Sequence, residues 1–410
     1  MGKRPLEGVK VLELATFVAA PCCARYLAEL GADVIKVETK RGDNLRYTAL
    51  NEGRPFGDME DTTYAQENGS KRAVIVNIKS EAGHDAFLKL VDWCDIFVTN
   101  LRPGALQRAG IDYETLKERK PALVMGLVSG QGELGPEKDI PGYDFTSYFA
   151  RSGVMGALFD REGSPMLPCA GFGDHQVGMA LAAGLMAALL KARETGEGDQ
   201  VTVSLLQMGL FDVSLNLTAS QYGDPGMQYP VARKEIANQL QLPHKTKDGR
   251  WFMIAIPPYD LLFNKFIAAI GREDLVDDER FYPQKNALNH LPELHDIIAA
   301  EFIKKTAAEW EAIFKEADLP AAKCFTWAEL LEDEQCWAND YLVSVDFPSG
   351  NKRTIVHSPN TFANTTLAPI TRAPFLGEHT IEVMVELGYS EEEIAGMLEA
   401  GDINDVVRIG

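Results

Sequence analysis

Through its first two hundred residues the chain alternates short apolar runs, rich in β-branched side chains, with longer segments whose apolar positions recur at helical spacing. Six runs read as strands: VKVLELA (9–15), DVIKVE (33–38), AVIVNI (73–78), DIFVTN (95–100), ALVMGLV (122–128) and QVTVSL (200–205). Between them, Cys22 to Leu30 and Glu81 to Val91 read as helices, stopped by Gly31 and by the region of Asp92. Strands that alternate with helices predict the α/β class, here a large Rossmann-like domain with a mainly parallel sheet. Ligands of such sheets bind beyond the carboxyl ends of the strands.

After Leu205 the pattern changes. The stretch QYGDPGMQYPVARKEIANQLQLP (221–243) is rich in turn formers and amides and reads as a linker. A smaller α+β domain follows. It opens with the turn Lys247-Asp248-Gly249 and the strand GRWFMIAI (249–256), and continues with helices near Tyr259 to Ile270 and His295 to Ala317. The expected boundaries are 1–215 for the N-terminal part of the large domain, 216–245 for the linker and 246–330 for the small domain; residues 331–410 return to the large domain. A last helix is expected around His379 to Leu387.

Composition narrows the function classes. With 46% hydrophobic residues the chain is not a disordered one. A net charge of -20 argues against nucleic acid or an anionic membrane as partner, and requires any anionic substrate to meet a local cluster of basic residues. Cys22, Cys23, Cys94, Cys169, Cys324 and Cys336 have no metal-ligand spacing, so no metal site and no disulfide framework is expected. The start MGKRPLEGVKVLEL lacks the features of a secretion or myristoylation signal. The longest apolar run, Val177 to Leu190, is too short to span a bilayer and reads as a buried helix. The expectation is a cytoplasmic protein.

Three stretches are candidates for chemistry. In CAGFGDHQVGM (169–179), glycines and then Asp174 open a helix of small residues. Asp174 reads first as an N-cap, a structural role, and also as an ionised, accessible carboxylate nucleophile, with Gly171 and Gly173 letting a bulky thioester approach and offering N–H groups to an oxyanion. The stretch Asn100 to Asp112 follows a strand and starts a helix at Pro103, with Arg102 and Arg108 either solvated or anion-binding. A proline- and glycine-rich loop runs from Gly135 to Asp144.

Eight motifs in order, VLELATFVAAP (11–21), GADVIKVE (31–38), RGDNLR (41–46), VNIKSEAG (76–83), NLRPGALQRAGIDYETL (100–116), GYD (142–144), GFGDHQVGM (171–179) and TGEGDQVTVSL (195–205), resemble the class III CoA-transferases over nearly the whole chain. That family includes formyl-CoA transferase, carnitine CoA-transferase-like and α-methylacyl-CoA racemase branches. The resemblance implies Asp174 as nucleophile and CoA contacts at Val18, Ala19, Val76, Asn77, Ile78, Lys79, Asn100, Leu101, Arg102, Arg108, Tyr143 and Asp144, with Arg108 at the nucleotide end. It implies no permanently bound cofactor, CoA thioesters and carboxylic acids as substrates, and an interlocked homodimer.

Departures from the family pattern refine the expectation. Val18 stands where oxalate-using members carry Gln, Thr39 replaces a basic residue that Lys40 or Arg41 stands ready to supply, and Leu240 and Leu242 fall where those members have a glycine run. These changes point away from oxalate and toward a more apolar acceptor pocket, as in the branch acting on phenyllactate or 2-hydroxyisocaproate. Racemases carry a His at the position of Tyr143. A racemase-like enzyme and an inactive CoA-binding protein are the alternatives.

Overall fold

The computed structural model describes residues 4–223 and 229–410, so part of the expected linker, 224–228, lies outside the described residues. All six expected strands form: β1 (Lys10–Leu14), β2 (Asp33–Glu38), β3 (Arg72–Val76), β4 (Ile96–Thr99), β5 (Val124–Ser129) and β6 (Asp199–Ser204). They pair in parallel in the order β3-β2-β1-β4-β5-β6. The short strand Ile403–Asn404 adds antiparallel to β3. The central strands are buried on both faces, which is why they read as continuous apolar runs rather than alternating ones. The chain winds outward from β1 to β3 and then returns to β4, so the topological switch point lies between β1 and β4.

Two compact units emerge. One comprises Met1–Val154, Pro168–Val213 and Asp333–Gly410, the other Met155–Leu167 and Ser214–Glu332. In the second unit Pro243–Lys245, Trp251–Ile254 and Ala321–Lys323 form an antiparallel sheet, over an aromatic core that includes Phe252, Phe263, Phe266, Phe302, Trp310 and Phe314. The helix expected over His295 to Ala317 is two helices, Leu291–Phe302 and Ala307–Glu316. Thr306 breaks the run by capping the second helix, and Glu309 reaches back to the Thr306 N–H at 2.7 Å. The signal was Thr-Ala-Ala-Glu, a capping box. A further helix, Glu391–Ala400, was not anticipated; Ser390 caps it in the same way. The Gly135–Asp144 loop runs into a π-helical segment, Asp144–Arg151.

The long helix Phe172–Thr195 extends beyond the apolar run at both ends and is long and apolar enough to cross a bilayer by length and composition. Here it buries Val177, Leu181, Leu185 and Leu189 and packs on the helix Ala19–Glu29 and on β5 and β6.

Charged residues sit where the sheet would otherwise be wholly apolar. Glu13 of β1 and Lys36 of β2 are register neighbours, both fully buried, with Lys36 Nζ 2.6 Å from Glu13 Oε1. Lys36 also pairs with Asp43 at 3.0 Å, while Lys71 takes the other Glu13 oxygen at 2.7 Å. Beside them Arg46 forks onto Glu38, its Nη2 2.7 Å and its Nε 3.0 Å from the two oxygens. Three acids are thus matched by three bases out of water. Such a network is costly to break because the survivor is left charged and unpaired. Lys36→Met is expected to lose about 3–5 kcal/mol of stability in urea unfolding. The exposed Lys40→Met should change it by less than about 0.5 kcal/mol.

Candidate active site

The carboxyl ends of β1 to β4 open into a cavity of about 1340 Å³. Its wall takes Thr16 from the loop after β1, Thr39 and Lys40 after β2, Val76 to Glu81 after β3, and Leu101 and Arg108 after β4. Six of the expected CoA contacts, Val76, Asn77, Ile78, Lys79, Leu101 and Arg108, therefore share one cavity. Lys40, Lys79 and Arg108 have no carboxylate partner among the described residues, although Glu81 and Asp85 also line the wall. On a chain of net charge -20 these unpaired cations are the local basic cluster that an anionic substrate requires. Of the two residues expected to compensate for Thr39, Lys40 reaches the cavity and Arg41 does not line it.

The other expected contacts have different surroundings. Asn100 spans the switch point: its side-chain Oδ1 accepts from the Thr16 N–H at 3.1 Å and its Nδ2 donates to the Thr16 carbonyl at 2.7 Å. Its amide is thus spent on holding β1 and β4 loops together. Arg102 is exposed at the start of the helix Pro103–Ala109. Tyr143 is 58% exposed and meets Phe17 edge-on, ring centroids 5.7 Å apart. Val18 precedes the helix Ala19–Glu29 and faces Gly171. Leu240 and Leu242, expected to line an acceptor pocket, are instead buried, Leu240 in the core of the second unit. Apolar residues in that stretch serve packing, which the residue types alone did not separate from pocket lining.

Asp174 departs from the N-cap expectation. The helix begins at Phe172, and its N-cap is Gly171, held at φ +79°, a conformation suited to glycine. Asp174 is the third residue of the first turn. It is half-buried and accepts no hydrogen bond and forms no ion pair among the described residues. The acid that does serve the helix start is Asp144, buried at 6% exposure, whose Oδ1 accepts from the Gly173 N–H at 3.1 Å. That bond corrects two expectations: the Gly173 N–H is taken, not free for an oxyanion, and the Asp144 carboxylate faces the helix and not the cavity. A Cβ on Gly173 would fall 2.2 Å from the Tyr148 ring and 2.4 Å from Asp144, so the close approach of acid to backbone needs glycine there.

Electrostatics also differ from the sequence expectation. Burial and the neighbouring Asp144 carboxylate push Asp174 up to about 7, against the pull of His175, so the helix dipole does not win. Burial likewise carries Asp144 to about 6 despite the backbone N–H of Gly173. Two carboxyls at one helix start thus titrate near neutrality, a pattern that marks functional sites.

Sequence reasoning missed Glu67. It lies on the helix Thr62–Asn68, nearly buried, with Oε1 2.8 Å from His175 Nε2. The donor atoms of Cys22, Glu67 and His175 fall within 4.8 Å of one another, and no other His, Cys, Asp or Glu joins them among the described residues. Burial and Glu67 push the Cys22 thiol up, and Glu67 and His175 form a hydrogen-bonded acid–imidazole pair beside it. No spacing could reveal it, because its members lie far apart in the chain.

Because the folded-state value of Asp174 lies above its ordinary 3.8, ionising it costs stability, a cost that begins above pH 3.8 and is complete above about pH 7. Asp174→Asn should therefore raise the thermal midpoint at pH 8 and lose that gain as the pH falls toward 4, in parallel scans of both proteins.

Comparison with known proteins gives a consistent set of relatives. The family described as "CoA-transferase family III" matches residues 6–380. The chain is 46% identical to a cinnamoyl-CoA:phenyllactate CoA-transferase of Clostridium sporogenes, covering 97% of each chain. It is 42% identical to an (R)-2-hydroxy-4-methylpentanoate CoA-transferase of Clostridioides difficile, covering 95% of this chain and 97% of that one. In fold it is similar to the crystal structure of a CAIB/BAIF family protein from Brucella suis, with TM-score 0.82 and 26% identity over 94% of this chain and all of the other.

Proposed function

The chain belongs to CoA-transferase family III, and from that premise we propose that it moves CoA from an acyl- or enoyl-CoA to a free 2-hydroxy carboxylic acid, with Asp174 as the covalent nucleophile. The observation that carries this reading is the state of Asp174: a carboxylate with no partner, half-buried in the first turn of a helix, whose proton leaves near neutral pH. A carboxylate committed to a cap or an ion pair would be a poor nucleophile; this one has nothing to give up before attack.

The steps follow from carboxylate chemistry. Asp174 attacks the donor thioester carbonyl and expels CoA thiolate, leaving a mixed anhydride. The thiolate attacks the aspartyl carbonyl, releasing the donor acid and forming an aspartyl-CoA thioester. The acceptor carboxylate attacks that thioester, and the thiolate it expels opens the second anhydride at the acceptor carbonyl, regenerating Asp174. Thioester energy is conserved at each step, so no ATP is consumed. Lys40, Lys79 and Arg108 are suited to the phosphates of CoA, Arg108 through a planar donor fork.

The acceptor class rests on the two relatives that act on phenyllactate and 2-hydroxy-4-methylpentanoate. An apolar Val18 beside the Gly171 turn, with Phe17 and Tyr143 in edge contact next to it, suits an acid with an aromatic or branched side chain. Tyr143 also weighs against racemisation, since it stands where racemases of the family carry the His that exchanges protons at C2. The same reading makes the enzyme a cytoplasmic homodimer.

Two experiments test the proposal. Asp174→Ala should fold yet lose transfer, and hydroxylamine added after acyl-CoA should label Asp174 in the native protein; transfer that survives the substitution ends the nucleophile assignment. In an acceptor panel of oxalate, succinate, carnitine, phenyllactate and 2-hydroxyisocaproate, one of the two hydroxy acids should give the highest kcat/KM. A higher value for oxalate, succinate or carnitine would refute the acceptor class.

A further inference from the structure

The mechanism above leaves the Glu67–His175 pair unused, although it borders the nucleophile. Glu67 Oε1 lies 2.8 Å from His175 Nε2, and the Glu67 side chain is only 5% exposed while the His175 ring is 45% exposed. The adjoining Cε1–Nδ1 edge of the ring runs along the Gly171 turn: a methyl placed on Gly171 would sit 3.4 Å from His175 Cε1 and 3.7 Å from Nδ1. One nitrogen of the imidazole is therefore anchored to a buried acid and the other edge faces the turn that carries Asp174. We infer that His175 is a positioning residue for the transfer, stationed by Glu67 so that a protonated imidazole stands beside the Asp174 carboxylate. This inference rests on Asp174 being the nucleophile.

The charges facing the pair support it. Glu67 comes from the helix Thr62–Asn68, Cys22 and Arg25 from Ala19–Glu29, Asp174 from the same helix as His175, and Asp144 bears on Asp174 from the π-helical segment. Arg25 is engaged with Glu29 at 3.2 Å, Lys71, which faces Glu67 and Cys22, is engaged with Glu13 at 2.7 Å, and burial and Glu67 push the Cys22 thiol up. His175 is thus the candidate cation at this turn, and Glu67 and Asp174 favour its protonated form against the opposing effects of burial and Arg25. Asp144 and, to a smaller extent, Glu67 disfavour an ionised Asp174, and the imidazolium opposes that effect. During attack the negative charge passes from Asp174 to the thioester oxygen and then to the CoA sulfur; a fixed cation beside the turn offsets it at each stage without moving a proton.

The readout is the pH dependence of kcat/KM in the full-length enzyme. His175→Gln removes the charge but keeps a polar side chain; its acidic limb should move up by roughly one pH unit, so that activity below pH 6.5 falls roughly tenfold relative to its own plateau, and the plateau itself should fall because the cation no longer offsets the charge of attack. His175→Lys, which restores a cation, should return the limb toward the native position. An unmoved limb in His175→Gln, whether or not the plateau falls, overturns the inference. Hydroxylamine trapping separates the two failures: labelling of native Asp174 with an unmoved limb sinks only the role of His175, whereas absence of labelling sinks the nucleophile assignment on which it rests.

Discussion

The crevice depends on one buried constraint, the ion pair between Glu13 and Lys36 on adjacent strands at the switch side of the sheet. Alone it would be a poor use of two desolvated charges. Its value lies in what the same groups hold. Lys36 donates to the Ala15 carbonyl at 2.9 Å, Asp43 accepts from the Phe17 N–H at 2.9 Å, and Asn100 takes both the N–H and the carbonyl of Thr16. Three consecutive backbone units after β1 are thereby pinned by side chains from three other segments. Phe17 is held at φ +64°, a conformation that a bulky residue adopts only when its surroundings impose it. Val18 and the helix Ala19–Glu29 leave that loop in a set direction, and the helix that carries Asp174 packs against it.

From that frame comes a division of labour between two acids. Asp144 occupies the helix start and spends its carboxylate on the Gly173 N–H, while Asp174, one residue further on, is left without a partner. Burial of both raises the cost of charge, and their mutual repulsion raises it further for Asp174. The local field therefore moves the ionisation of Asp174 toward neutral pH, at some expense in stability, as the proposed role of nucleophile would require.

Charge distribution follows the same logic at larger scale. Many of the basic side chains are tied to acids, as in the pairs of Arg72 with Asp33 and Arg119 with Asp92. Those left unpaired on the cavity wall, Lys40, Lys79 and Arg108, stand out against an acidic chain, so an anionic ligand is drawn to one place while nonspecific polyanion binding is disfavoured.

The strands and the parallel class were legible because a doubly covered sheet forces continuous β-branched runs, and that constraint acts within five or six residues at a time. The helical break at Thr306 is equally local and is present in the sequence as a capping box. Asp174 was singled out by the glycines that precede it, although its proposed role as nucleophile came from the family resemblance. What the sequence by itself could not determine was which acid caps the helix, because Gly173 meets Asp144 only when the π-helical segment is folded beneath it. Nor could it reveal that Glu67 reaches His175, that the Asn100 amide is spent on Thr16, or that Leu240 is core and not pocket. Those outcomes are contacts between residues distant in the chain, and burial, which sets the titration of Asp174, is a property of the packed fold that no stretch of sequence possesses alone.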